Sequence, residues 1–185
     1  MGRAHKAFIA GSLFVFLFGT AVAIALPRIT PQFRTLPYAA IAPDLIIPVD
    51  GVKLSSLVDT WGAARSQGRK HEGIDIMAPA GTPVRATAAG QIAKLFHSVR
   101  GGTTIYEFDR SGHLLFYYAH LKAYADGLHE GEAVEQGQLL AYVGSTGNAT
   151  TPHLHFEIQH AAAPKQWWHG TAFNPYLPLK TARLQ

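Results

Sequence analysis

The sequence predicts a mainly β chain: one compact antiparallel β-sheet domain, preceded by an N-terminal membrane-spanning segment. Three observations predict it. Beyond residue 49, runs of about five to eight apolar, β-branched or aromatic residues recur between turn-forming residues such as Gly, Asn and Asp-Arg-Ser-Gly. No long helical period follows residue 26. Glycine (18) and proline (11) are plentiful in 185 residues, which favours a turn-rich sheet over a helical bundle. With 48% apolar and 15% charged residues, the chain can bury a core and is not a disordered polymer.

The elements follow in order. Arg3, His5 and Lys6 precede "AFIAGSLFVFLFGTAVAIAL", residues 7 to 26, which carries no charge. At about 1.5 Å per residue this run spans roughly 30 Å, the thickness of a hydrocarbon core. Its basic flank keeps that end cytoplasmic and sends the remainder across the membrane. Residues 1–28 are therefore read as a signal-anchor, or as a signal peptide with Ala23-Ile24-Ala25 as the small-residue cleavage site. The proline-punctuated stretch 29–48 is read as an extended linker. Residues 49–180 form the folded domain, and 181–185 a tail. Within the domain, "SSLVDTWGAARSQ" (55–67) holds at most a short helical turn. Strands are expected in "GTPVRATAAGQIAKLF" (81–96), "GTTIYEF" (102–108), "HLLFYYAHL" (113–121), "GQLLAYVG" (137–144) and "HLHFEI" (153–158).

Charge and cysteine content narrow the function. The formal net charge is +4, but no dense Lys/Arg run occurs. That suits an anionic polymer or membrane surface and argues against a nucleic-acid partner. The absence of cysteine excludes disulfides, zinc–thiolate sites and a cysteine nucleophile.

Three segments carry candidate chemistry. In "GRKHEGIDIMAPAGTPV", His71 and Asp75 lie four apart with Gly73 between them. Gly73 is expected to let the backbone turn tightly, so that the two side chains converge. In "FYYAHLK", strand alternation would place Tyr118 and His120 on one face and Ala119 and Leu121 on the other. In "PHLHFEI", alternation puts His153, His155 and Glu157 on one face, roughly 6.5–7 Å between successive members, and turns Leu154, Phe156 and Ile158 to the core.

Taken together, His71, Asp75, His120, His153 and His155 offer one carboxylate and several imidazoles, a donor set suited to zinc. Three protein ligands would leave the fourth tetrahedral position open, as in catalytic rather than structural sites. The two remaining groups could handle protons or stabilise an oxyanion. Metal-assisted amide hydrolysis needs those parts. Spacing alone does not say which histidines are ligands.

The motifs "HEGIDIMAPAGTPV", "YAHL" and "GSTGNATTPHLHFEI", in that order, resemble the lysostaphin-type (LytM-like) zinc endopeptidases of peptidoglycan. "GEAVEQGQLLAYVGSTG" and "FNPYLPL" are similar to that family's flanking segments, so the likeness runs from about residue 60 to 178. The resemblance implies a small antiparallel sheet with a substrate groove, and one Zn2+ per chain held by His71, Asp75 and His155. It implies His153 as the general base. His120 then orients the attacking water or stabilises the tetrahedral intermediate, with a zinc-bound water as nucleophile. The implied substrates are peptidoglycan peptides. The implied place is the cell envelope, inner-membrane anchored with the domain in the periplasm, or secreted if the signal is cleaved. Thr151 and "EFDRSGH" depart from the usual pattern, and both are expected at the groove rim rather than at the metal positions.

Other readings account for less. A non-catalytic envelope adaptor on the same fold would have no need of all five positions. A biotinyl/lipoyl-like hairpin domain would leave the histidines unexplained and lacks a lysine at the required hairpin tip. A facial-triad iron oxygenase usually has its histidine and carboxylate closer in sequence. "GSTGN" reads as a turn near the site rather than a phosphate cradle, because no helix follows it. Trp167 and Trp168 are read as groove-lining, interfacial or packing residues. His97, His113, His129, His160 and His169 are read as surface residues.

Overall fold

The sheet is built around β5 (Leu114–Tyr124), most of which is buried. In the computed structural model, which describes residues 45–163 and 166–181, one edge of β5 pairs antiparallel with β4 (Gly102–Asp109). Its other edge is shared. The first part, to Ala119, pairs with β8 (His153–His160), and the last part, from Leu121, pairs with β7 (Leu139–Val143). The far edge of β8 is shared in the same way, by β1 (Ile74–Met77) and β9 (Thr171–Phe173). Beyond β4 come β3 (Gly90–Ser98) and β6 (Ala133–Val134), while β2 (Pro83–Arg85) joins β7. A short helix, α1 (Tyr176–Lys180), closes the described chain.

The strands expected at 81–96, 102–108, 113–121, 137–144 and 153–158 all form. The clearest is β8. Leu154, Phe156 and Ile158 are fully buried while His153, His155 and Glu157 face the other way, half-buried. Each fully buried large apolar side chain contributes roughly 1.5–3 kcal/mol of burial free energy, so the apolar set fixes the register. The same core holds Ile74, Ile105, Phe116 and Leu140. Two short 3-10 turns, Leu54–Ser56 and Ser66–Gly68, occupy the stretch expected to hold a helical turn.

Two boundaries differ from the sequence reading. Leu45, Ile46 and Ile47, read as the end of the linker, are buried in the core. The Ile46 N–H donates to the Thr87 carbonyl (3.0 Å), and Thr87 Oγ1 donates back to the Ile46 carbonyl (2.6 Å). The packed domain therefore reaches back to Leu45. β1, for which the sequence reading gave no strand, is the second. No helix among the described residues is long and apolar enough to cross a membrane. The segment 7–26, read as the membrane span, lies outside the described residues.

Candidate active site

Antiparallel pairing of β1 with β8 sets Asp75 directly opposite His155. His71 precedes β1 and is buried, its backbone N–H donating to the Ala63 carbonyl and its carbonyl accepting from Gly62 N–H, both at 2.9 Å. The convergence of His71 and Asp75 thus comes from strand pairing, not from a tight turn at Gly73. Gly73 matters for close approach instead. A Cβ there would lie 2.5 Å from the Phe156 carbonyl oxygen and 2.9 Å from His155 Cε1. The bare glycine lets β1 press against β8.

Three donor atoms meet. His71 Nε2 is 2.8 Å from His155 Nδ1 and 3.1 Å from Asp75 Oδ1, and His155 Nδ1 is 3.2 Å from the same oxygen. The outer nitrogens of both imidazoles are tied. His71 Nδ1–H donates to the Thr60 carbonyl (2.8 Å), and His155 Nε2–H donates to Glu157 Oε1 (2.8 Å). Neutral imidazoles so held turn two bare lone pairs toward each other, which is repulsive unless a cation stands between them. Three donors about 2.0–2.1 Å from one tetrahedral zinc stand roughly 3.3 Å apart, close to this triangle. The oriented outer nitrogens are the usual support of metal-ligating histidines. The residues present fit a zinc ion.

The electrostatics agree. Burial works to raise the Asp75 carboxyl, but hydrogen bonds and charge from His155 and His71 outweigh it and hold it far below the carboxylate range. Burial opposes charge on His155, yet its hydrogen bonds to Asp75 and Glu157 push it up to about 9. This pocket calls for positive charge, whether a proton or a metal. Asp75 is further anchored by Arg65, whose Nη2 donates to Oδ2 at 2.5 Å, and by its own N–H donating to Thr60 Oγ1 at 3.0 Å.

His120 and His153 form a second pair beside the first, ring centroids 4.8 Å apart. Nδ1–H of His120 donates to the Thr146 carbonyl (2.9 Å), and Nδ1–H of His153 to the Thr151 carbonyl (2.8 Å). A carbonyl only accepts, so in the neutral form of each ring Nε2 is the bare nitrogen. His153 Nε2 is 3.6 Å from Asp75 Oδ1. Burial depresses His120 to about 4, so its ring is neutral near pH 7.

The expected face-sharing of Tyr118 and His120 does not occur. Tyr118 is fully buried on the core side, while Tyr117, Ala119 and His120 all line the groove. His120 has φ 62°, and this left-handed residue breaks the alternation at the point where β5 changes partner from β8 to β7. Such backbone costs about 1–3 kcal/mol and is retained where the surroundings hold it. Here the holders are the Thr146 carbonyl and the His120 N–H bond to the Gly101 carbonyl (2.8 Å).

All five predicted positions line one cavity of about 410 Å³. "GSTGN" is the turn that supplies the Thr146 carbonyl, as expected. His97, His113, His129, His160 and His169 are exposed and outside the cavity. Sequence reasoning missed Thr60, Arg65 and the tie from Glu157 to His155. Only Glu157 left a signal, its shared face with His153 and His155. Trp167 packs against Phe96 and Tyr106 at 5.6 and 4.9 Å, a packing role among the options entertained.

Fold and site together define a class: an antiparallel-sheet protein carrying a three-donor, metal-type cluster and two oriented imidazoles in an open groove. Residues 69–175 match peptidase family M23, and the chain belongs to that family. It is 35% identical over 130 residues to the L-Ala–D-Glu endopeptidase of Bacillus subtilis, a match covering 65% of this chain and 38% of that protein. The chain thus spans well under half the length of that relative. The structure is similar to the catalytic domain of lysostaphin from Staphylococcus simulans (TM-score 0.59, 31% identity), covering 69% of this chain and 95% of that one. It is also similar to a zinc-containing peptidase from Vibrio cholerae (TM-score 0.53, 28% identity), covering 62% and 36%. The resemblance carried by the sequence motifs is borne out.

Proposed function

We propose that the chain is a zinc-dependent endopeptidase hydrolysing peptide bonds in the stem peptides or cross-bridges of bacterial peptidoglycan. One observation carries the reading: three donor atoms within 3.2 Å of one another, two of them imidazole nitrogens whose outer N–H groups are tied, beside two imidazoles with bare Nε2 atoms. His71, Asp75 and His155 would hold the zinc. Bound there, a zinc ion would supply Lewis-acid chemistry, polarising the scissile carbonyl and bringing the ionisation of a water near neutral pH. His153 Nε2 takes the water's proton and returns it to the leaving amine. His120, with its proton fixed on Nδ1, offers Nε2 as an acceptor only. That favours orienting the water over donating to an oxyanion. Arg65 keeps Asp75 Oδ1 aimed at the metal by occupying Oδ2. The uncharged segment 7–26 behind Arg3 and Lys6 supports placement in the cell envelope, with the domain held outside the inner membrane or released if the segment is cleaved.

Paired variants test the division of labour. His153→Ala is expected to retain stoichiometric zinc by metal analysis while losing a factor of about 10²–10⁴ in peptidoglycan cleavage. His155→Ala is expected to lose both. Zinc lost from His153→Ala but kept by His155→Ala would reverse the assignment.

A further inference from the structure

The groove carries more positive charge than the proposed chemistry uses. Arg65 is committed to Asp75. Arg69, Lys70 and Arg100 line the same cavity, and among the described residues none of them makes an ion pair with an acid. Arg69 Nη2 makes one long bond to Ser66 Oγ (3.3 Å), and its buried Nε–H has no acceptor. A buried guanidinium donor without an acceptor is unfavourable, and a shift of the Arg69 side chain toward an acceptor in the groove would relieve it. Of the three lining carboxylates, Asp75 and Glu157 serve the imidazoles, and Glu72 makes no ion pair with Arg69, Lys70 or Arg100 among the described residues.

These cations stand on both sides of the reacting groups. Arg69 and Lys70 immediately precede His71, on the β1 side of β8. Arg100 lies at the β3–β4 turn on the β5 side, next to Gly101, whose carbonyl accepts from His120 N–H. The turn is clamped. The Arg100 carbonyl accepts from Asn148 N–H at 3.0 Å, and a Cβ on Gly147 (φ 72°) would fall 2.2 Å from that oxygen. The Arg100 backbone is thereby fixed beside the groove, which its side chain lines.

We propose that Arg69 and Arg100 are specificity-determining residues that take carboxylates of the peptide substrate. The preferred substrate is then a stem peptide with free carboxylates, not an uncharged glycine bridge. A guanidinium fork matches a carboxylate in two hydrogen bonds, whereas a glycine bridge offers only amides and leaves both arginines unpaired. Lys70 adds to the field that draws anionic chains into the groove. This inference rests on the endopeptidase reading above.

The test uses the zinc-loaded full chain in detergent with a cross-linked stem-peptide dimer, the same dimer amidated at its carboxylates, and an oligoglycine peptide. Binding is read by calorimetry and cleavage by mass analysis. The free-carboxylate dimer is expected to show Kd and KM roughly tenfold below those of the amidated one, with kcat little changed. Oligoglycine should bind worst. Arg69→Gln and Arg100→Gln should each remove most of the preference without loss of zinc, and Arg100→Lys should restore part of it. Equal binding of the free and amidated dimers, a preference untouched in both glutamine variants, or oligoglycine as the best ligand would overturn the inference. If no peptide is cleaved, the endopeptidase reading fails, while the binding preference still decides this inference.

Discussion

At the scale of single residues, the site is a set of imidazoles whose usable nitrogens are chosen by what holds the other one. A carboxylate selects Nδ1 of His155, and carbonyls select Nε2 of His71, His120 and His153. All five candidate positions were legible in the sequence because they sit in three motifs that follow one another in a distinctive order. Their supports were not. Arg65 and Thr60 are common residue types far from the motif, and only tertiary placement brings them to Asp75 and His71. Glu157 shows how much such a support weighs. Glu157→Ala leaves the His155 Nε2–H without its partner, and zinc affinity is expected to fall by roughly 10–100-fold in a competitive chelator titration. Unchanged affinity would show that His155 needs no such orientation.

At the scale of elements, the site is a consequence of how β1, β5 and β8 share edges. The period-2 pattern of "HLHFEI" was enough to place His153 and His155 on the groove face. β1 was harder to read, since four residues inside a motif rich in Gly, Ala and Pro give little periodicity. The face of His120 was not legible at all, because alternation carries no information about a single left-handed residue. The β1–β8 contact can be tested through Gly73. Gly73→Ala forces a methyl group against the Phe156 carbonyl and His155, so the strands must separate. The expected cost is about 1–3 kcal/mol, seen as a lowered Tm, together with weakened zinc binding as Asp75 and His155 move apart. A normal Tm with normal zinc affinity would contradict the close-approach role.

At the scale of the whole molecule, one group on the core side reports on folding independently of the groove. Glu107 is fully buried, with Tyr118 Oη donating to Oε2 at 2.7 Å and Oε1 without a hydrogen-bond partner. Burial pushes its carboxyl up from 4.5 to about 8, against the pull of the Tyr118 hydrogen bond. The folded state therefore holds a proton that the unfolded chain releases near pH 4.5. Stability is fully present below that pH and is lost as pH rises toward about 8, with a slope of up to about 1.4 kcal/mol per pH unit. Glu107→Gln is expected to flatten this slope in denaturant titrations across the window. An unchanged slope would mean that Glu107 is ionised in the fold.

Peptide-bond hydrolysis in the groove is expected to depend on the metal. The most direct measurement is mass analysis of fragments released from defined peptidoglycan by the zinc-loaded protein, with and without chelator. Peptide fragments with new amino and carboxyl ends are expected, vanishing with chelator and returning with added zinc. Folded protein that binds no zinc, or fragments released equally well in chelator, would contradict that dependence.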